Sequence, residues 1–138
     1  MTTPTAAAPF NALLTGLFAT LSDGLDSAGV YDDVPERITK PYITMGELFS
    51  VPDDWHGGFG WDILSTIHVW TKSRGFKTAV DIANEIIALL DHKLKAITLP
   101  DSWYVVSIRF VQLSTLRDPD PEIRHVPVQF RIVIHQEV

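Results

Sequence analysis

The chain has 138 residues, 46% of them hydrophobic and 20% charged, and its 17 acidic and 11 basic side chains give a net charge of −6. That is one domain's length with enough apolar surface for a real core, which excludes wholesale disorder and collagen-like structure. The small basic complement argues against sequence-independent nucleic-acid binding, and the absence of cysteine removes disulfides, thiolate nucleophiles and cysteine-based zinc sites.

Residues 1–9 contain Pro4 and Pro9 among small side chains and read as a flexible N-terminal arm, with residues 10–138 as a single domain. Met1–Ala8 holds no basic residue of the kind that opens a signal peptide, and no apolar run reaches the ~18–20 residues of a membrane span. The chain therefore reads as soluble. Phe10, Leu13, Leu14, Leu17, Phe18 and Leu21 follow helical spacing and form one apolar stripe, with Gly24 and Gly29 as stop signals. A turn-rich stretch over Val30–Pro35 leads to a short strand, Tyr42 to Leu48, and then to a glycine-rich loop over residues 50–60.

Trp61 to Thr71 reads as a strand with apolar residues on both parities, so both of its faces should be covered. After Gly75, a second helix keeps helical periodicity from Phe76 to about Leu94, with Thr78 and Asp81 spaced for a capping box. Tyr104, Val106, Ile108 and Phe110 alternate as a third strand, and Val126, Val128, Phe130, Ile132 and Ile134 as a fourth. The expected fold is α+β in the order α-β-β-α-β-β, an antiparallel sheet of about four strands with two helices on one face. The expected core is Leu14, Leu17, Ile82, Ile86, Leu90, Val106, Ile108, Phe130 and Ile132.

Chemistry is sparse. There is no Gly-x-Ser-x-Gly elbow, and His56, His68, His92, His125 and His135 form no metal-binding pair at helical spacing. Asp118, Asp120 and Glu122 open like a calcium loop, but Ile123 and Gln129 stand where its glycine and glutamate belong. Gly57, Gly58 and Gly60 lead into a strand rather than a helix, so no helix N-terminus is there to hold a phosphate. The expectation is no enzyme, no cofactor and no metal.

Three ordered stretches resemble the bacteriophage tail-completion, or tail terminator, family of small minor tail proteins. They are Val30–Pro35 with Pro41-Tyr42-Ile43; Ile67–Thr71 with Arg74-Gly75 and the helix Ala79-x-x-Ile82-Ala83; and Ser114–Asp120 with Arg124-His125 and the strand Val128-x-Phe130-Arg131. Pro121-Glu122 replaces the family's usual turn glycine. The resemblance implies a structural virion protein that caps the head-proximal end of the tail tube, stops its polymerisation and joins the tail to the head. It implies a hexameric ring whose partners are further copies, the major tail tube protein and the head-completion or connector protein. DNA would pass through the lumen without specific binding, and no membrane is involved. The location implied is the virion tail, and the host cytoplasm during assembly.

A ring needs interface anchors, and aromatic side chains are favoured ones. Trp55, Phe59 and Trp61 in or beside the glycine-rich loop are candidates. So are Arg117, Asp118, Asp120 and Arg124, because two prolines stiffen their turn and its alternating charge could fix register against a neighbour. The competing reading is a non-catalytic adaptor that binds a peptide or protein along a sheet edge, offered by the long final strand.

Overall fold

The periodicities resolve into two helices and six strands: α1 (Phe10–Gly24), β1 (Gly29–Tyr31), β2 (Tyr42–Pro52), β3 (Gly60–Lys72), α2 (Lys77–Leu90), β4 (Trp103–Leu113), β5 (Leu116–Arg117) and β6 (Ile123–Gln136). The computed structural model describes residues 5–100 and 102–137. One sheet runs β1-β2-β3-β6-β4, with β5 on β6. Every pairing is antiparallel except β1 with β2. The fold is a single α+β domain with a mixed sheet. The two strands beyond the expected four are β1, a three-residue segment whose parallel partner lies across a loop, and the two-residue β5.

The core lies between the helices and one face of the sheet. Leu13, Leu17 and Leu21 from α1 and Ile82, Ile86 and Leu90 from α2 share a buried cluster with Ile63, Ile67, Val69, Ile108, Val126, Val128, Phe130, Ile132 and Ile134. Two expected core residues fall outside it. Leu14 is half-buried, because the flank of α1 that also carries Phe18 opens into a small groove over Asp32 and Met45. Val106 is 39% exposed. It is the extra residue of a β-bulge between Val105 and Ser107, which shifts the alternation of β4 by one position. A bulge re-aims every following side chain, so Val105 and Ile108 face the helices and Val106 does not.

The other boundaries move for local reasons. The β2–β3 loop shrinks to residues 53–59, because Ser50, Val51 and Pro52 pair with Ile63, Asp62 and Trp61. α2 ends at Leu90 and leaves Leu94 exposed. Asp91 turns out of the helix so that its Oδ1 accepts the Phe110 N–H at 2.8 Å, and the His92 N–H donates to the Ile108 carbonyl at 2.9 Å. No capping box forms: the residue preceding α2 is Phe76, and Asp81 pairs with Lys77 at 3.0 Å instead.

Residues 1–4 of the expected arm lie outside the described residues. Beyond them, the Thr5 and Ala7 carbonyls accept hydrogen bonds from Gln136 Nε2 (2.8 Å) and Trp61 Nε1 (2.9 Å).

β6 is an interior strand with β3 on one side and β4 and β5 on the other, so the long final strand offers no edge to a peptide. The edges are β1 and β4. β4 carries two bulges, and its outward Ile108 and Phe110 backbone groups already bond to His92 and Asp91. Bulges and covering segments are the usual ways of blocking strand addition.

Candidate interaction surface

The residues proposed as interface anchors divide between surface and interior. Trp55 sits at the β2–β3 tip, which closes through reciprocal backbone bonds between Trp55 and Gly58 (3.0 and 3.1 Å). Its indole is 43% exposed. It stacks on His135 with centroids 5.5 Å apart, and Tyr104 meets the same imidazole edge-on at 5.9 Å. Tyr104 joins this cluster because its side chain pairs with His135 on the helix-free face, not with the core. Phe59 is half-buried and its carbonyl accepts the Gln136 N–H at 2.9 Å. Trp61 is on the other side of the sheet, against the edge of Phe10 at 5.1 Å, where it joins α1 to the sheet.

The β5–β6 turn is built by its own acids. Asp118 Oδ1 accepts the Asp120 N–H at 3.1 Å, and Asp120 Oδ1 accepts the Glu122 N–H at 2.9 Å. Arg117 is exposed, whereas Arg124 is only 4% exposed. The Arg124 guanidinium donates to the carbonyls of Pro121 (2.8 Å), Ile123 (3.0 Å) and Arg74 (2.5 Å). It is a clamp joining the turn to the end of β3, and it presents no charge to a partner. Asp118, Asp120 and Arg117 remain at the surface or near it.

The helix-free face holds a constellation that sequence reasoning missed. His68 Nδ1 lies 2.6 Å from His125 Nε2, and His68 Nε2 lies 3.2 Å from Glu47 Oε2. His125 lies flat on Trp70, with centroids 3.9 Å apart and planes 4° from parallel. With His68 Nε2–H donating to Glu47, a neutral His68 accepts at Nδ1 from His125 Nε2–H. Gly46, in the β2 bulge, makes room for this chain: a Cβ there would meet the His68 ring at 2.5 Å. Burial first, and His68 second, hold the His125 imidazole below its ordinary value. A backbone hydrogen bond and then His68 lower the Glu47 carboxyl.

Further along this face Arg131 Nε donates to Asp62 Oδ1 at 2.8 Å, and that bond lowers the Asp62 carboxyl and raises the guanidinium. Gln112 donates to Gln129 (2.7 Å), and Gln129 to Thr66 (3.3 Å). The polar groups of this face therefore satisfy one another, while Phe49 stands 67% exposed beside them. The signal for the histidine pair was present only in part. His68 and Trp70 share a parity on β3, but the partner His125 is brought there by strand pairing.

Among the described residues no three His, Asp or Glu side chains gather to hold a metal ion. An open groove of about 850 Å³ runs along α1 past Ala12, Gly16, Ala19, Ala96 and Thr98, and its lining offers Asp23 as a lone titratable side chain.

Residues 12–135 match the family model described as tail completion protein gp17. The chain belongs to this family. It is a tail completion protein, a structural component of a virion tail. A chain in the virion of a native gene transfer agent particle shares the fold of this tail completion protein, with a TM-score of 0.80 and 19% sequence identity over 94% of this chain and 99% of that one. No curated protein matches the sequence.

Proposed function

We propose that this tail completion protein is a tail terminator. It sits as a hexameric ring at the head-proximal end of the tail tube, stops tube polymerisation and presents a docking surface to the head-completion protein. DNA passes through its lumen without specific binding, and the chain acts by contact, without catalysis. Assembly takes place in the host cytoplasm.

The observation that supports this reading is what the domain leaves outside its core. The buried cluster is complete within one chain, yet Phe49, Val51, Trp55, Val111 and Leu116 stay exposed. Large apolar side chains left outside the core are the groups that a contact with a partner would cover. Trp55 and Phe59 at the hairpin tip, and Arg117, Asp118 and Asp120 at the β5–β6 turn, are the residues offered to the tube, the head or a second copy.

Position is the test. Gold labelling of a tagged chain in intact particles should mark the junction of head and tail. Label at the tail tip, or spread along the tube, would contradict the terminator role.

A further inference from the structure

The strand β1 shields only the first three residues of β2, Tyr42, Ile43 and Thr44. Beyond the β-bulge at Gly46 and Glu47, β2 is itself the edge of the sheet. The phase of its pairing shows which backbone groups face outward. The Asp53 N–H donates to the Gly60 carbonyl at 2.8 Å, so these two residues form a bonded pair of the antiparallel ladder. Bonded and non-bonded pairs alternate. Val51 and Phe49 therefore bond to Asp62 and Leu64, while the N–H and C=O of Leu48 and Ser50 and the C=O of Pro52 point outward, away from β3. The bond from the Gln136 N–H to the Phe59 carbonyl gives the same phase, because it assigns Trp61, Ile63 and Ser65 to β6. Among the described residues no group bonds to the outward backbone of Leu48, Ser50 and Pro52.

We propose that this edge, Leu48 to Pro52, takes an extended segment of another virion protein as an added strand. Sheet edges are ordinarily blunted by lysine, proline, a bulge or a covering segment. On β2 such devices stand only at the ends of the open stretch, the bulge at Gly46 and Glu47 and then Pro52. Between them lies a site with no charged side chain. In strand addition the main chain supplies affinity and alternate side chains supply specificity. Phe49 and Val51, 67% and 44% exposed, share the helix-free face. They stand roughly 7 Å apart along the strand, so an incoming strand with apolar residues at alternate positions would cover both. The occupant does not come from this chain or its copies. β1 is three residues long, the outward groups of β4 at Ile108 and Phe110 are already bonded, and β6 is interior. Residues 1–4, outside the described residues, are too few, and one of them is Pro4. A pairing of β2 with β2 across a two-fold axis is isologous, and it does not fit a ring whose copies all face one way. That last step, and hence the source of the strand, rests on the terminator reading, whereas the open edge itself does not.

The test pairs a backbone substitution with hydrogen exchange. Ser50→Pro removes an outward N–H and no bond of the β2–β3 ladder. Ser50→Ala keeps that N–H and removes only a hydroxyl that has no hydrogen-bond partner. In particle-producing cells that lack this gene, Ser50→Ala should restore joined heads and tails and Ser50→Pro should not, although both purified chains melt close to the wild type. In the wild-type chain, the Leu48 and Ser50 amides should exchange freely in solution and become protected in assembled particles. Those of Phe49 and Val51 should be protected in both. A Ser50→Pro chain that folds and joins particles normally overturns the proposal and leaves the terminator reading standing. If Ser50→Pro does not fold, the exchange decides, and Leu48 and Ser50 amides as fast in particles as in the free chain overturn the proposal. Protection of the same amides on dimerisation of the purified chain would make a second copy the occupant, and the proposal would again be wrong. If deletion of the gene leaves normal tails on filled heads, the terminator reading falls; protected amides in particles would still support the edge, and unprotected ones would overturn both.

Discussion

Arg117 and Arg124 stand opposite each other across the β5–β6 pair, and their guanidinium groups lie 5.5 and 5.3 Å from the centre of the same Phe76 ring. Two like charges in register would ordinarily repel. Here one is sunk among three carbonyls and the other reaches solvent. The pair therefore separates by role, the inner arginine holding the fold and the outer one free to meet a partner.

The first prediction follows from that division. Arg124→Ala strands three carbonyls and should lower stability by about 3 kcal/mol, while Arg117→Ala should cost less than about 1 kcal/mol. Chemical denaturation of both variants checks it. Equal losses would show that burial does not distinguish them.

Phe130 is fully buried on β6 and meets Phe110 edge-on with centroids 6.0 Å apart. Phe130→Ala should cost roughly 3–5 kcal/mol, a large share of the stability of a domain this size. An unchanged melting curve would contradict the inward parity of β6.

A pH dependence follows from the helix-free face. The His125 imidazole is held below its ordinary 6.5, chiefly by burial, so the unfolded chain takes up that proton first as pH falls. The stability it contributes is full above about pH 6.5 and is lost as pH drops through the folded value. His68 adds to the shift, while Asp118 and Glu47 oppose it. The carboxyls of Asp62 and Glu47, held below 3.8 and 4.5, contribute in a separate and more acidic window. Between about pH 7.5 and 5.5 the wild-type melting temperature should fall, and His125→Gln should fall less. Parallel losses would show that His125 does not carry the effect.

Trp55 stacks on the half-buried His135 imidazole of the helix-free face and not on the core, so Trp55→Ala should change the melting temperature little while reducing the yield of joined particles. Normal yield would leave the hairpin tip without an assembly role.

How far the sequence could be read depended on uninterrupted alternation. In β6 it runs without a bulge, so Val126 through Ile134 face inward as their spacing predicts. In β4 the bulges slip the parity, and composition carries no mark of that; hence the misplacement of Val106. β1 escaped notice because three residues are too few for a pattern and its partner is not its chain neighbour in a hairpin. Arg124 was legible in principle: it shares parity with Val126 and Val128, which points inward, although an arginine in a turn region looks like surface. The His68–His125 contact depends on strand register, which no local spacing encodes.

The central claim is that this chain ends the tail. Its most direct test is the distribution of tail lengths, measured by electron microscopy of lysates from particle-producing cells in which the gene is deleted. The terminator account predicts headless tails of broad and excessive length. Tails of normal length joined to filled heads would contradict it.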